Sequence, residues 1–383
     1  MIIRTLFSKR TLWETRPNAL SKALADKKRT GEKILDLTES NPTRCGFHFL
    51  TPERLSPLSS PENAVYGPDP QGLLSAREAV ARYYAEKGVS VRPERIFLTA
   101  STSEAYSHLF KLLCDPGETA ASPVPSYPLF GFLSGLSDVT LSPYSLDLKR
   151  GMEDLRAGTP KAVISVNPNN PTGHFTGKED RALLNDFCKN AGAALIADEV
   201  FLDYRLTTEG PAPLSFASNE EVLTFTLSGI SKILGLPQMK LSWIVLSGPE
   251  EEARQAAEKL EVILDTFLSV NAPVQRALPV WLSKKEEVIG LIRQRLLSNL
   301  ACLRSLAASQ TRWELLSPEG GWYAVLKDSA GASDEETALR LLREKNIWVH
   351  PGYFYDFPSE GFLALSLLPD PALFKEAAER IFE

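Results

Sequence analysis

Short apolar runs alternate with helical patterns through the middle of this 383-residue chain. The runs are rich in β-branched or small apolar residues and apolar on both faces, which suits strands covered on both sides. The predicted strands are Ile96–Thr99, Ala162–Val166, Ala194–Ala197, Val222–Leu227 and Leu241–Leu246, and the helices between them include Ser103–Leu113, Lys178–Ala191 and Glu250–Phe267. This alternation predicts an α/β fold whose large domain has a mostly parallel sheet with helices on both faces.

The length indicates a second unit, because a single hydrophobic core rarely grows beyond about 250–300 residues. Gly290–Ser309 has the pattern of a long amphipathic helix that leads out of the large domain. The strand and helices predicted after it are typical of a smaller α+β domain: Trp322–Lys327, Glu335–Lys345 and a last helix from Pro371. We expect residues 46–285 to form the large domain and 286–383 the small one.

Composition excludes several classes of function. The net charge of -6, from 42 basic and 48 acidic residues, gives no attraction to nucleic acid or to an anionic membrane. No apolar run approaches the ~20 residues of a membrane span, and the N-terminus has no apolar stretch of signal-peptide length, so we expect a cytoplasmic protein. Four separated cysteines and four histidines without metal-ligand spacing predict no bound metal.

Polar residues follow four predicted strands at their carboxyl ends, where open α/β sheets bind their ligands. These segments are Ala-Ser-Thr-Ser-Glu at 100–104, Asn-Pro-Asn-Asn-Pro-Thr-Gly at 167–173, Asp-Glu at 198–199 and Ser-Gly-Ile-Ser-Lys at 228–232. Hydroxyls, an amide, a carboxylate and an amine are therefore predicted to converge on one crevice.

Two of these segments have both a ligand-binding and a purely structural interpretation. Ser101, Thr102 and Ser103 open a helix, whose N–H groups and dipole favour a phosphate, although Ser101 with Glu104 also matches a capping box. Asp198 ends an apolar strand, where a carboxylate is costly unless a cation faces it. That cation is either a protonated pyridine nitrogen or a local salt-bridge partner.

The remaining residues are open to similar alternatives. Lys232 follows a strand and a glycine-containing turn, where a desolvated amine can attack a carbonyl, although most lysines are surface charges. Asn170 is either a donor to a ligand or a turn former, and Tyr127 is either a stacking ring on a proline-stiffened loop or a core aromatic. A phosphorylated pyridine aldehyde uses all of these groups. The stretch from Gly173 to Lys178 is one residue too short for a P-loop.

These motifs, in this order, resemble those of the class I/II aminotransferases, the fold-type I pyridoxal phosphate enzymes of the aspartate aminotransferase superfamily. The matching segments are Asn41-Pro42, Tyr66-Gly67 with Gly72 and Arg77, Asn170 before Pro-Thr-Gly, Asp198, and Lys232 in Ser-Lys-x-x-Gly-Leu-Pro. The resemblance implies an enzyme that uses pyridoxal 5′-phosphate, bound as a Lys232 aldimine, to transfer an amino group between an amino acid (or related amine) and a 2-oxo acid. It also implies a homodimer with shared active sites, and a smaller domain that includes residues 1–45 as its N-terminal arm.

The resemblance assigns roles residue by residue. Lys232 moves the proton between substrate and cofactor, Asp198 keeps the pyridine ring cationic, and Tyr127 stacks on it. The implied catalytic residues are therefore Lys232, Asp198 and Tyr127. The implied cofactor-binding residues are Ser101, Thr102, Ser103, Tyr127, Asn170, Asp198, Ser231, Lys232, Lys240 and, toward the partner subunit's cofactor, Tyr66. The implied substrate-binding residues are Asn170 and Asn41.

Three positions depart from the family pattern. Phe201 replaces a tyrosine that bonds the cofactor's ring hydroxyl, so we expect a raised pKa at the cofactor-linked nitrogen unless Tyr204 compensates. Lys240 replaces the usual phosphate arginine. Ala364 replaces the arginine that clamps the substrate carboxylate, so either other donors hold that carboxylate or the substrate is a modified amino acid or an amine without it. The alternatives to an aminotransferase are a decarboxylase or other lyase on the same fold and a regulatory protein that binds the cofactor.

Overall fold

The structure is a computed structural model that describes residues 6–155, 159–208 and 212–383. The β-strands are, in chain order, β1 (Leu35–Asp36), β2 (Ile96–Thr99), β3 (Thr119–Val124), β4 (Thr140–Ser145), β5 (Ala162–Val166), β6 (Ala194–Asp198), β7 (Thr224–Gly229), β8 (Ser242–Ser247), β9 (Trp313–Leu316), β10 (Tyr323–Asp328), β11 (Ile347–Trp348), β12 (His350–Pro351) and β13 (Phe362–Ser366).

Helices connect these strands throughout the described ranges. The α-helices are α1 (Ala19–Arg29), α2 (Pro52–Leu55), α3 (Leu74–Ala85), α4 (Thr102–Leu113), α5 (Phe130–Leu136), α6 (Leu148–Leu155), α7 (Lys178–Ala191), α8 (Ile230–Ile233), α9 (Glu250–Phe267), α10 (Ala272–Leu282), α11 (Lys285–Ala308), α12 (Asp334–Lys345) and α13 (Pro371–Phe382). The short 3-10 helices are Lys9–Thr11, Ser56–Ser59, Pro61–Ala64, Pro93–Arg95, Phe216–Ser218, Pro237–Met239 and Gly352–Tyr355.

The larger sheet has seven strands in the order β2-β8-β7-β6-β5-β3-β4. Strands β7, β6, β5, β3 and β4 pair in parallel, and β8 lies antiparallel to both of its neighbours, β7 and β2. All strands except β8 therefore present their carboxyl ends at the same edge. This arrangement brings together the four polar segments that the sequence placed after β2, β5, β6 and β7.

Helices cover both faces of the large sheet, and its central strands β5 and β6 are buried at every position. On β5, Ile164 packs on one face with Leu109 of α4 and Leu260 of α9. The neighbouring Val163 points to the other face and packs with Leu184 of α7. Burying such a side chain contributes about 1.5–3 kcal/mol to folding, so the sheet is fixed from both sides.

A smaller antiparallel sheet has the order β12-β13-β10-β9, and β1 pairs in parallel with β11 beside it. Both chain ends contribute to this part of the molecule. The carbonyl of Leu37, just after β1, accepts a hydrogen bond from Ser366 of β13, and α11 and α13 pack beside it. A shared apolar core contains Leu20 near the N-terminus and Ile381 near the C-terminus.

The predicted fold class is confirmed: an α/β structure with a mostly parallel sheet and a smaller α+β unit. The predicted strands β2 and β5 and helices α7 and α9 have the predicted bounds, whereas β7 and β8 are displaced by one or two residues. The sequence prediction missed β3, β4 and β13. None of the helices in the described residues is long and apolar enough to cross a bilayer.

Candidate active site

Asp198 is the last residue of β6, in the interior of the large sheet. Its Oδ2 accepts a hydrogen bond from the Tyr106 hydroxyl at 3.1 Å, and its Oδ1 accepts one from the Val200 amide at 3.2 Å. Burial raises the pKa of this carboxyl group to about 6, although these two hydrogen bonds and the charge of Lys232 oppose the rise. The carboxylate is therefore held in a site that favours a facing cation.

Lys232 lies on α8, directly after β7. Burial lowers the pKa of its amine to about 8, against the opposing effect of the Asp198 charge. The amine nitrogen lies 4.8 Å from the ring centroid of Trp322 and 5.3 Å from that of Phe201. An amine with this pKa is partly unprotonated near neutral pH, which a nucleophilic lysine requires.

The turn that carries Lys232 depends on a close approach between β7 and β8. A Cβ atom at Gly229 would lie 2.2 Å from the Oγ of Ser242 on β8, so a residue larger than glycine would push the strands apart. Lys232 itself is fixed through its backbone, because the Tyr204 hydroxyl donates to the Lys232 carbonyl at 2.6 Å. The donor hydrogen of Tyr204 is thus engaged by the backbone and is not available to a ligand.

Tyr127 lies near Asp198 in the loop after β3, and Asn170 lies in the loop after β5. The side-chain oxygen of Asn170 is buried and has no hydrogen-bond partner among the described residues. Tyr127 stands edge-on to Phe130, with ring centroids 5.5 Å apart, and its hydroxyl is hydrogen-bonded to Ser103. Burial, followed by the charge of Asp198, raises the pKa of Tyr127 to about 12. The structure therefore brings α4 and β6 together with the loop after β3.

The start of α4 shows the capping role of the serine-rich segment and leaves its phosphate-binding role a prediction. Ser101 is the N-cap and accepts a hydrogen bond from the Glu104 amide at 3.1 Å, while Glu104 Oε2 accepts one from the Ala100 amide at 2.7 Å. This is one half of the capping box that the sequence allowed, because the Glu104 carboxylate binds the amide before the N-cap rather than that of Ser101 itself. A hydroxyl that accepts through its oxygen keeps its hydrogen for donation, so Ser101 remains able to bind a phosphate.

The other predicted residues are less tightly connected to the crevice. Ser231 is partly exposed beside Lys232, and Lys240 is exposed, with a left-handed φ of 51° just before β8. The Asn41 side-chain oxygen binds the amide and hydroxyl of Thr43. Thr102 forms the first residue of α4. Within the described ranges, no contact joins Lys240 to Lys232.

Tyr66 lies in a surface loop and is 81% exposed. It lines a pocket of about 370 Å³ together with Val65, Leu264 and Gln275. In the described part of the chain, no hydrogen bond, ion pair or ring contact joins Tyr66 to Asp198 or Lys232.

The sequence analysis missed several aromatic residues of the site. Tyr106 bonds Asp198, and it follows Thr102 by four residues, which places both on one face of α4. Trp322 and Tyr323 pack against Phe201, with ring centroids at 5.3 and 6.4 Å. The adjacent Gly320-Gly321 was the available signal, because paired glycines before a strand mark a close approach of backbones.

Comparisons with known proteins give a consistent result. The family described as aminotransferase class I and II matches residues 33–381. A glutamate-pyruvate aminotransferase of Haemophilus influenzae is 26% identical over 366 residues, covering 92% of this chain and 90% of its own. An alanine aminotransferase of Mycobacterium bovis is 27% identical over 374 residues, covering 92% and 85%. The structure of an alanine aminotransferase from Pyrococcus furiosus has a TM-score of 0.85 at 22% identity, covering 98% of each chain. The family resemblance is thereby confirmed.

Proposed function

Since this chain belongs to the class I and II aminotransferases, we propose that it transfers an amino group between an amino acid or related amine and a 2-oxo acid, with pyridoxal 5′-phosphate held by Lys232. One observation carries the assignment of the site. A lysine of lowered pKa and a carboxyl group of raised pKa act on each other at the ends of two neighbouring strands. Lys232 and Asp198 are thus a nucleophilic amine and a buried carboxylate in one crevice.

The residues of the crevice fit this cofactor. The amine of Lys232 suits its aldehyde, and the buried carboxylate of Asp198 suits a protonated ring nitrogen. The side-chain oxygen of Asn170 is a buried acceptor without a partner among the described residues, so a ligand that donates a hydrogen bond there would satisfy it. The N-terminal amides of α4 and the Ser101 hydroxyl suit a phosphate.

Each of these residues then has a definite task. Pyridoxal phosphate, when bound, supplies an electron sink that stabilises negative charge at the substrate Cα. Asp198 maintains the positive charge on the ring nitrogen, because its own carboxylate is buried. Lys232 holds and moves the proton at the substrate Cα, for which a pKa near neutral pH is favourable. The ring of Tyr127 offers a face for stacking.

Trapping tests the cofactor assignment. We expect the purified enzyme to absorb visible light and, after borohydride reduction, to carry the pyridoxyl mass on the tryptic peptide that contains Lys232. Lys232→Ala should lose both colour and label, whereas Lys189→Ala, a change at an exposed lysine of α7, should retain both. A colourless enzyme with an unmodified peptide would refute the assignment.

A spectroscopic panel of amino donors tests the reaction type. Conversion of the cofactor to its aminated form, reversed by a 2-oxo acid, is the result expected of a transaminase. Release of carbon dioxide, a thiol or ammonia would instead identify a lyase on the same fold. Unchanged spectra with every donor would support a regulatory protein.

We also propose a homodimer in which Tyr66 reaches the partner subunit's cofactor. The support is a group of exposed apolar residues beside the Tyr66 pocket, Val65, Leu74 and Phe267, each more than half exposed. Mixing the inactive variants Tyr66→Ala and Lys232→Ala should form hybrid dimers with one native site, so activity should reappear on mixing. Failure of mixed, dimeric protein to regain activity would exclude shared sites.

Two further parts of the proposal concern organisation and location. We propose that residues 46–285 hold the cofactor and that 1–45 and 286–383 form the smaller unit, in which β1 pairs with β11. We also propose a cytoplasmic enzyme, in keeping with the unpaired cysteines Cys45, Cys114, Cys188 and Cys302. Limited proteolysis and cell fractionation test these points.

A further inference from the structure

We propose that Tyr355, Tyr323 and His350 form an uncharged subsite that binds the carboxyl or carbonyl end of the substrate by hydrogen bonds alone, so that the enzyme accepts a carboxamide about as well as a carboxylate. This inference rests on the proposed function, because it concerns the substrate of the same crevice. It names the residues that decide specificity and the chemical class of substrate that they admit.

The backbone pairing of the smaller sheet places Ala364 among these residues. Ala364 of β13 lies directly opposite His350 of β12 and Val325 of β10. Side chains at directly opposite positions point to the same face, and so does Tyr323, two residues before Val325. Ala364 is buried and contributes only a methyl group, so the polar groups of this face come from its neighbours.

Contacts connect these neighbours to the reactive amine. The Tyr355 hydroxyl lies 3.2 Å from Nδ1 of His350. The Tyr355 ring centroid is 6.3 Å from that of Tyr323, which is 6.4 Å from that of Phe201. The Phe201 centroid is in turn 5.3 Å from the Lys232 amine nitrogen. The subsite is therefore an extension of the crevice that contains Lys232.

The subsite is also fixed from two sides. The backbone carbonyl of Tyr355 accepts a hydrogen bond from the Ser126 amide at 2.9 Å, which joins the 3-10 helix Gly352–Tyr355 to the loop that carries Tyr127. The Tyr323 hydroxyl is hydrogen-bonded to Ser40. Both phenols are thus held at the crevice before any substrate arrives.

None of the three groups carries a charge near neutral pH. Burial lowers the pKa of His350 to about 4, although the charge of Asp36 opposes this, so the imidazole is neutral. Burial raises the pKa of Tyr355 and of Tyr323, so both hydroxyls keep their hydrogens. The groups act as neutral donors and acceptors.

The charged residues around the subsite are acidic. Among the described residues, the charges set against these side chains are Asp36, which faces His350, and Glu39, which faces Tyr323. Arg44 is 3.6 Å from Glu39, but its own side chain is 76% exposed. These three groups therefore offer a substrate carboxylate no cation of their own in return for the hydration that it loses, and a neutral carboxamide avoids that cost.

Matched pairs of substrates test the inference in the holoenzyme. The probes are alanine against alaninamide and phenylalanine against phenylalaninamide, with the rate of cofactor conversion measured in single turnovers. We expect the two members of a pair to differ by less than about threefold in kcat/KM. In free energy, this difference is smaller than that of a pKa shift of about half a unit. A preference of tenfold or more for the carboxylate, or no conversion by either pair, would overturn the inference.

Variants assign the effect to particular residues. Tyr355→Phe should raise KM about five- to tenfold for both members of a pair and change kcat less, whereas Tyr353→Phe, on the same 3-10 helix but 39% exposed, should change neither. His350 contacts the Tyr355 hydroxyl within the subsite, so His350→Ala should resemble Tyr355→Phe, whereas His350→Asn should retain most of the binding. Equal effects of the Tyr353 and Tyr355 changes would count against the subsite.

Equilibrium binding gives a readout that does not depend on turnover. Propionate and propionamide, which lack the amino group, should bind the holoenzyme with similar Kd, and raising NaCl from about 0.05 to 0.5 M should leave the propionate Kd unchanged within twofold. Ala364→Arg, if it folds, should tighten propionate tenfold and make its binding salt-dependent. Strong salt dependence in the unaltered enzyme would refute an uncharged subsite. Absence of a cofactor link at Lys232 would instead reject the proposed function.

Discussion

The two sides of the crevice differ in the charges that their side chains carry. On the side of the large sheet, burial raises the pKa of Asp198 and lowers that of Lys232, and the charge of each group partly counteracts the shift of the other. On the side of the smaller sheet, Ala364 lies between neutral groups, and the nearby charges are carboxylates. The side of the large sheet thus pairs a buried acid with a buried amine, whereas the groups beside Ala364 are neutral. The proposed cofactor end and the proposed substrate end of the crevice therefore differ in charge.

The largest effect should come from removing the charge on the cofactor side. Asp198→Asn should lower turnover about 10²-fold, since a buried, oriented charge contributes on that scale. The control is Asp203→Asn, which also alters a buried carboxylate, one bonded to the Tyr83 hydroxyl at 2.7 Å. Steady-state rates check this. Similar rates for the two variants would show that the charge of Asp198 has no special role in turnover.

The second prediction concerns the lowered pKa of Lys232. Because its amine titrates near pH 8, the unprotonated fraction in the cofactor-free protein rises about tenfold between pH 7 and pH 9 and is nearly complete above that. An ordinary lysine, with a pKa of about 10.4, would still be mostly protonated. The initial rate of cofactor attachment should follow this rise. A rate that keeps increasing steeply beyond pH 9, or one that Lys232→Ala retains, would contradict it.

Phe201 gives a smaller and more specific test. Phe201→Tyr adds a hydroxyl near the Lys232 amine, and the donor of Tyr204 is already engaged by the Lys232 carbonyl. The added donor should lower the pKa of the cofactor-linked nitrogen by about 0.5 to 1 unit, in line with one hydrogen bond. A pH titration of the cofactor absorption measures this. An unchanged or raised pKa in the variant would show that Phe201 costs the enzyme no donor.

The smallest effect is expected from removing a helix N-cap, which can be compared between the large-sheet side and the small-sheet side of the molecule. Ser101→Ala and Asp370→Ala each remove an N-cap, from α4 and α13 respectively, and each should cost about 1 kcal/mol of stability in thermal unfolding. Only the Ser101 change should also weaken cofactor affinity, by about fivefold. Equal cofactor affinities in the two variants would mean that Ser101 is a cap and nothing more.

The cofactor side could be predicted from local pattern because each of its residues follows an apolar run along the chain. Some neighbouring strands were harder to predict, and both β3 and β4 were missed. Strand β4 includes Pro143 and is largely exposed or half-buried, so it lacks the apolar pattern of a buried strand. Tyr106 was also missed, because a tyrosine within a buried helix face looks like a core residue until its hydroxyl is seen on Asp198.

The substrate side needed contacts between residues far apart in sequence. Ser40 meets Tyr323, and His350 meets Ala364, only because the smaller sheet pairs strands from distant parts of the chain. The sequence by itself determined the alternation of strands and helices and the polar residues at the strand ends, since both depend on neighbours along the chain. The tertiary structure alone decided which side chains face the space beside Ala364 and that they are uncharged, since burial and pairing set both.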